Sequence, residues 1–370
     1  MLFWGIPFHT SVFNNSLLNT SFQEKNNNNQ VLLSSFPFFF SFCKFAMENG
    51  SDLLEWLGRD TSIRVFSYLE HPADLVRAIA VSRSWRQFVI ANGLSKSLCT
   101  KLCPEVSYFS GIKEITPPGM VQLDESNSTT EWRNHERDHK IYTYINSFLV
   151  STEGATSCIS HCIGASSTDH FPQESIENTL EPREEVDWNQ SHWSSVGEVD
   201  PAVPESLMYL LNYDLAFVDE IMIRPSQEFF LNDDYIYSSK FVRFKLGHSK
   251  LPITTAIFNL QQSHQIADEN YVWTYISPQY PMEQENVLQS FKLPRPVLCI
   301  GAVVKVELLG RVVKHDFDDL FYICICHVQV RGRTLLPLLA ADFSETVHGH
   351  GGGVLLKYNP MVWGRTRIGG

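Results

Sequence analysis

The stretch LLEWLGRDTSIRVFSYLEHPADLVRAIAVSRSWRQFVIANGLSKSL, Leu53 to Leu98, sets Leu53, Leu54 and Leu57, then Ile63, Phe66 and Leu69, then Leu75, Ala78 and Ile79 at three- and four-residue steps. Such steps place apolar side chains on one face of each of several short helices. The pattern breaks at Gly58 to Asp60 and again at Glu70-His71-Pro72, where proline ends one helix and Asp74 stands near the next N-terminus. Helices this short do not persist alone in water, so they must pack on one another or on a partner. A cluster of this size holds more apolar residues than it can hide, so part of them is expected at a partner's surface.

Working outward, the helical module is expected over residues 47–110, followed by Pro117-Pro118-Gly119, a polar linker at Asp124–Thr130 and a helix from about Glu131 to Leu149. Trp132, His135, His139, Tyr142, Ile145 and Leu149 fall roughly on one face of that helix, which reads as a surface connector within a linker spanning 111–157. Beyond Cys158 the chain is punctuated by Ser, Thr, Asp and Pro, and short alternating or β-branched runs take over. Strands are expected at Ala216–Arg224, Tyr237–Leu246, Val272–Ile276, Val303–Leu309 and Tyr322–Val330. In the last, Tyr322, Cys324, Cys326, Val328 and Val330 share one face and Ile323, Ile325, His327 and Gln329 the other, as in a central strand covered on both sides. Strands without a comparable number of intervening helices favour an antiparallel sandwich or barrel, so the chain reads as a two-domain α+β protein.

Residues 337–370, with HGHGGG at His348–Gly353, carry no pattern and are expected to be a flexible tail. At the other end, the apolar run Val31–Ala46 lacks a basic n-region and is interrupted by Pro37, which excludes a good signal peptide. With the polar tract Asn26–Asn29, residues 1–46 are expected to be disordered or a gene-model extension, the functional chain starting at Met47.

The chain has 370 residues, room for two domains of roughly 100–200 residues each. Its 29 Lys+Arg against 41 Asp+Glu give a formal charge of −12, which argues against a nucleic-acid backbone tracker. Eight scattered cysteines lack the density of a secreted disulfide scaffold, so a reducing cytosol or nucleus is expected, with no membrane association.

With IRVFSYL at Ile63–Leu69, Pro72-Ala73-Asp74-Leu75 and AVSRSWRQF at Ala80–Phe88 in this order and spacing, Leu53–Leu98 resembles an F-box. The resemblance implies docking to a Skp-type adaptor and, through it, to a cullin-RING ubiquitin ligase. The contacts it implies are Leu57, Ile63, Val65, Phe66, Leu69, Pro72, Leu75, Val76, Val81 and Trp85. Two positions depart from the family pattern: Gly58 stands where Pro commonly follows the first Leu, and Ser95 where a Trp often precedes the terminal Leu. The first loosens a turn and the second removes a large buried anchor.

The segment from Gly164, with ASS at Ala165–Ser167, an N-x-L-x-P stretch at Asn178–Pro182 and WSS at Trp193–Ser195, resembles the opening of a galactose-binding-like, discoidin-like jelly roll. VDEIMIRP at Val218–Pro225, FVRFKLG at Phe241–Gly247 and YICICHVQVRG at Tyr322–Gly332 extend the resemblance, which covers 158–336; the layout is similar to that of a group of plant F-box proteins. It implies ligand contact through loops at one end of the sandwich. Those loops are expected around Ser166–Phe171, Asp187–Ser195, His248–Lys250 and Ser277–Glu285, with Asp169, Trp188, His192 and Glu283 as candidate contacts. Trp188 suits stacking or anchoring, whereas Trp193 and Trp273 read as structural.

Catalytic chemistry finds no complete set. His135-Glu136-Arg137-Asp138-His139 matches H-E-x-x-H but lacks a third ligand, and Cys158, His161 and Cys162 lack a second pair, so no metal is expected. HGHGGG comes without a nucleophile elbow, and no phosphate-binding loop occurs, so neither catalytic residues nor a cofactor are expected. The function expected is substrate reception for a Skp-cullin-F-box ligase, the sandwich binding a target protein; the alternative is a carbohydrate-binding module acting with or without the ligase.

Overall fold

The computed structural model describes residues 52–115, 127–151, 154–181, 191–228, 235–250, 268–343 and 353–363. The expectations for residues 1–46, for most of the HGHGGG run and for Trp188 lie outside these residues. The chain divides into two compact units, Met1–Arg64 and Val65–Gly370.

In the first unit, the Asp52 carboxylate accepts from the Leu54 amide at 3.1 Å and opens α1, Leu53–Leu57. Gly58, at φ +71°, ends it and donates its amide to the Leu54 carbonyl. Proline, the family's usual residue there, is locked near φ −65° and could not make this turn. The turn leads into α2, Arg59–Ser67, whose last residues belong to the second unit.

The second unit continues with α3 (Pro72–Ile79), α4 (Arg83–Ala91) and α5 (Leu94–Leu102). Pro72 occupies the first turn of α3, where a missing amide costs nothing, and the Ser82 hydroxyl caps α4 by accepting from the Trp85 amide. A long helix, α6, runs over Asn127–Val150. Ser95 explains how it docks. The Ser95 hydroxyl lies 2.7 Å from His139 Nδ1, and Thr143 and Asn146 donate to Ser95 at 3.3 Å. Where the family often carries a tryptophan, this chain has a small polar residue that lets α6 sit against α5.

The sandwich is built of β2 (Thr156–Ser157), β3 (Ile159–Ala165), β4 (Trp193–Ser194), β5 (Glu205–Leu211), β6 (Leu215–Glu228), β7 (Tyr235–Tyr237), β8 (Ser239–Ser249), β9 (Tyr271–Ile276), β10 (Tyr280–Pro281), β11 (Gln289–Ile300), β12 (Val303–Arg311) and β13 (Cys324–Thr334). One sheet has the order β10-β8-β12-β5-β3, with β9 also on β8; the other has β11-β6-β13-β2, with β4 on β13 and β7 on β6. The pairings within both sheets are antiparallel. The expected fold class, a helical module followed by an antiparallel β-sandwich, is what the chain forms. Among the described residues no helix is long and apolar enough to cross a membrane.

Three expectations need correction. First, the residues after 336 are not a patternless tail: β14 (Leu339–Asp342) and β15 (Val354–Tyr358) form a three-stranded sheet with β1 (Phe109–Glu114), and α7 (Pro360–Trp363) follows. β15 lies in the middle, parallel to β1 and antiparallel to β14, and short alternating runs of this length were too brief to register. Second, the faces of β13 exchange. A bulge between Ile325 and His327 shifts the register against β6, so that Ile323 and Ile325, then Val328 and Val330, all enter the sandwich core. Third, the helix expected as a surface connector has a buried face, Ile141, Tyr142, Ile145 and Asn146.

That face belongs to a core shared by Cys99 and Cys103 of the α5 end, Leu215 and Phe217 of β6, Leu298 and Ile300 of β11, and Leu356 and Tyr358 of β15. The alternation of β6 and β11 makes this possible: Leu215, Phe217, Leu298 and Ile300 point out of the sandwich, while Val218, Val297 and Cys299 point in. Arg333 fastens the junction. Its buried guanidinium pairs with Asp219 at 2.7 and 3.0 Å, donates to the Phe148 carbonyl at 2.7 Å and to the Ser151 carbonyl, and lies over the rings of Phe148 and Phe217. The last carbonyls of α6 are thereby satisfied by a cation at the negative end of the helix. Leu356→Ala, which empties a fully buried position of the shared core, is expected to lower unfolding stability by about 2–5 kcal/mol in urea titrations.

Candidate functional site

Two surfaces are candidates: the helical segment and the loop end of the sandwich. In the helical part of the second unit, Phe66, Pro72 and Leu75 are buried, Phe66 meeting Trp85 edge-on at 5.5 Å and Phe88 at 5.8 Å. These three are core. Val65, Leu69 and Trp85 are half-buried, and Tyr68, Val76 and Val81 are open to solvent, the two valines at 47% and 62%. In the first unit Leu57 and Ile63 are half-buried and Trp56 is exposed.

The second surface follows from strand direction. β3 ends at Ala165, β12 ends at Arg311, and β5, β8, β11 and β13 begin at Glu205, Ser239, Gln289 and Cys324, all at one end of the sandwich by the pairing registers. The loops 166–175, 195–204, 282–288 and 312–323 therefore meet there. Beneath them lies a buried ion pair: Arg311 Nη2 donates to Glu205 Oε1 at 2.5 Å, both side chains almost wholly out of solvent. The remaining donors of Arg311 reach the Ser195 hydroxyl at 3.0 Å and the carbonyls of Val196, Phe321 and Val203. Glu205 accepts in addition from Ser166 and Ser167. Trp193, fully buried, donates its indole N–H to the Ser167 carbonyl at 3.0 Å. The ASS and WSS motifs are thus brought together as the floor under the loops, and every charged atom in that floor is bonded.

Of the candidate contacts, Asp169 is exposed, and its amide donates to Ser194 one residue past Trp193. His192 is half-buried, its carbonyl held by Asn178 at 2.9 Å. Glu283 is exposed at the same end but at the β11 edge, its backbone clamped by Gln289. Asp169 and His192 share a neighbourhood that Glu283 does not. The His248–Lys250 loop, expected among them, is at the opposite end. There His248 is buried beside Gly301 and against the Phe343 ring, and burial holds its imidazole below the usual value. Gly301, at φ +94°, leaves no room for a Cβ, which would fall 2.1 Å from that of His248.

The loop 312–323 was missed. Its run Lys314-His315-Asp316-Phe317-Asp318-Asp319 places Phe317 in solvent and Tyr322 in a 2.5 Å hydrogen bond to Asp318, which lowers the Asp318 pKa. The signal was present: a dense acidic and aromatic run between two strands.

The F-box-like family model matches residues 59–101. An F-box protein of Arabidopsis thaliana is 42% identical over 316 residues, covering 83% of each chain. This chain belongs to the F-box proteins. Solved structures similar to this F-box protein include a family 32 carbohydrate-binding module of NanJ from Clostridium perfringens in complex with galactose, at 14% identity over 47% of this chain and 98% of that one, TM-score 0.30. A second family 32 module, from a family 31 glycoside hydrolase of the same organism, is 12% identical over 49% and 97%, TM-score 0.30.

The residues set aside as metal ligands are otherwise engaged in the F-box protein. His139 is bonded to Ser95, and burial lowers its pKa; His135 is 3.9 Å from Glu131. Cys158 donates to the Val330 carbonyl and Cys162 to that of Ile176, and burial raises both thiols, Cys158 to about 12. Thiols so protonated are poor nucleophiles. The Arg311–Glu205 pair makes a sharp expectation. Arg311→Met leaves Glu205 charged, buried and without its guanidinium, and should cost about 3–5 kcal/mol in chemical unfolding. Adding Glu205→Gln should recover part of that loss.

Proposed function

We propose that this chain is the substrate-receptor subunit of a Skp-cullin-F-box ubiquitin ligase, docking a Skp-type adaptor through its F-box and a target protein through the loop end of its sandwich. What carries the reading is the exposure of Val76 and Val81 on a matched F-box segment whose own core, Phe66, Pro72 and Leu75, is already filled. Apolar side chains left in solvent beside a packed core suit a partner's surface. Tyr68 and the half-buried Val65, Leu69 and Trp85 complete the contact set proposed on the second unit; in the first unit, taken by itself, Leu57 and Ile63 are half-buried candidates.

Such a receptor contributes proximity and orientation to a conjugating enzyme and performs no bond chemistry of its own. The shared core supports this role, because among the described residues it ties α3–α5 through α6 to the outer face of the sandwich. Cys99, Cys103, Cys158 and Cys299, buried as thiols, suit a reducing cytosol or nucleus.

The full chain should co-purify with a Skp-type adaptor. Val76→Glu with Val81→Glu should weaken that binding by at least about 2 kcal/mol while leaving the melting temperature unchanged. Phe66→Ala should instead lower stability by about 3–5 kcal/mol, because it empties a core position. Adaptor affinity unaffected by the two charged substitutions would remove α3 and its C-terminal turn from the interface.

A further inference from the structure

The loop end of the sandwich holds apolar side chains out in solvent over the Arg311–Glu205 floor, whose charged groups are hydrogen-bonded. Phe171 is 61% exposed, Phe317 74% and Val199 78%. They belong to one surface. Asp169 donates to the Ser194 carbonyl, Glu198 and Phe321 exchange backbone hydrogen bonds, and Gly197 packs so closely on Tyr322 and Leu320 that a Cβ there would lie 2.6 Å from the phenol oxygen. Aromatic and aliphatic groups displayed this way favour a partner that brings its own apolar anchors.

Charge then selects the partner. The segments 166–175, 191–204, 282–288 and 312–323 carry nine Asp and Glu against a single basic side chain of the Lys or Arg type, Lys314. Lys314 is itself paired with Asp319 at 2.9 Å, and the guanidinium beneath the loops, Arg311, is spent on Glu205. No free cation cluster is present among the described residues of these loops to receive a phosphate, whereas a row of carboxylates around exposed phenylalanines lowers the free energy of an approaching cationic chain. The acids at Asp316 and Asp318 flank Phe317, so that one peptide side chain could bury on the ring while its neighbours meet carboxylates.

We propose that this surface binds a Lys/Arg-rich peptide segment bearing large apolar anchors, and that such a segment is the recognition element of the target; the inference rests on the receptor reading above. Phe317 and Phe171 supply the apolar contact, and the surrounding carboxylates set the sign of the partner's charge and speed its approach.

The test uses the full chain with its co-purified adaptor on an array of short synthetic peptides that are Lys/Arg-rich, neutral, Asp/Glu-rich or phosphorylated, each made with and without Leu and Phe, alongside immobilised galactosides. Basic peptides with apolar anchors should be retained at least about tenfold better than their acidic counterparts, and the preference should shrink as salt rises. Asp316→Lys combined with Phe317→Ser, two substitutions at exposed positions, should abolish the preference without moving the melting temperature. Retention that ignores peptide charge, that favours phosphopeptides or galactosides, or that survives the double substitution would overturn the inference. The adaptor reads the other claim in the same tube. Adaptor present with no charge preference sinks the peptide class alone, and a basic preference without adaptor supports the surface while sinking the ligase role.

Discussion

The fork that Arg333 makes with Asp219, and through its other nitrogen with the end of α6, is the constraint on which the arrangement of the second unit depends. A buried guanidinium costs several kcal/mol to desolvate, and it is tolerated only where all its donors find partners. Here those partners come from three places: a strand neighbour, the terminal carbonyls of a helix and the faces of two aromatic rings. None of them can shift without stranding a charge. The direction of α6 relative to β6 and β13 is therefore specified more sharply than hydrophobic packing alone would specify it, since apolar contacts tolerate sliding and a bidentate pair does not.

The two ends of the sandwich consequently have different physics. At the end near Leu215 and Ile300, apolar side chains on the outer face are covered by α6 and by the three-stranded sheet. At the other end the interior is closed by a polar plug, Arg311 with Glu205 and the serines around them, and the loops above it stay exposed. A polar floor allows those loops to change their outward residues without disturbing the core, because their backbone is anchored through Ser167, Ser195 and the carbonyls that Arg311 holds. Recognition surfaces on rigid scaffolds commonly divide labour in this way.

Periodicity made the helices between Leu53 and Leu102 and the main strands legible, because those segments bury one face each and repeat long enough to be read. It failed where a single residue breaks phase. The bulge after Ile325 moves Val328 and Val330 to the face that Ile323 and Ile325 occupy, and nothing in the residue types announces it. It also failed for Arg311 and Arg333, since a buried arginine is indistinguishable in sequence from a solvated one and only the fold shows what surrounds it. On α6, Tyr142 and Ile145 share a face in the sequence pattern, but their burial together with Ile141 and Asn146 does not follow from it, because the buried stripe is wider than one ridge. The loops were assigned to one end without knowledge of strand order, so that Ser166–Phe171 and His248–Lys250 were grouped although they lie at opposite ends.

The parallel pairing of β1 with β15 has a consequence for biogenesis. Phe109 finds its partner in Val354, so the three-stranded sheet cannot close until nearly the whole described chain has left the ribosome. Until then Leu215, Phe217, Leu298 and Ile300 lack part of their cover, and a nascent or truncated chain presents them as a sticky face. Loop closure over such a sequence distance is slow. Incomplete translation products would therefore differ from the finished molecule by that same uncovered strip.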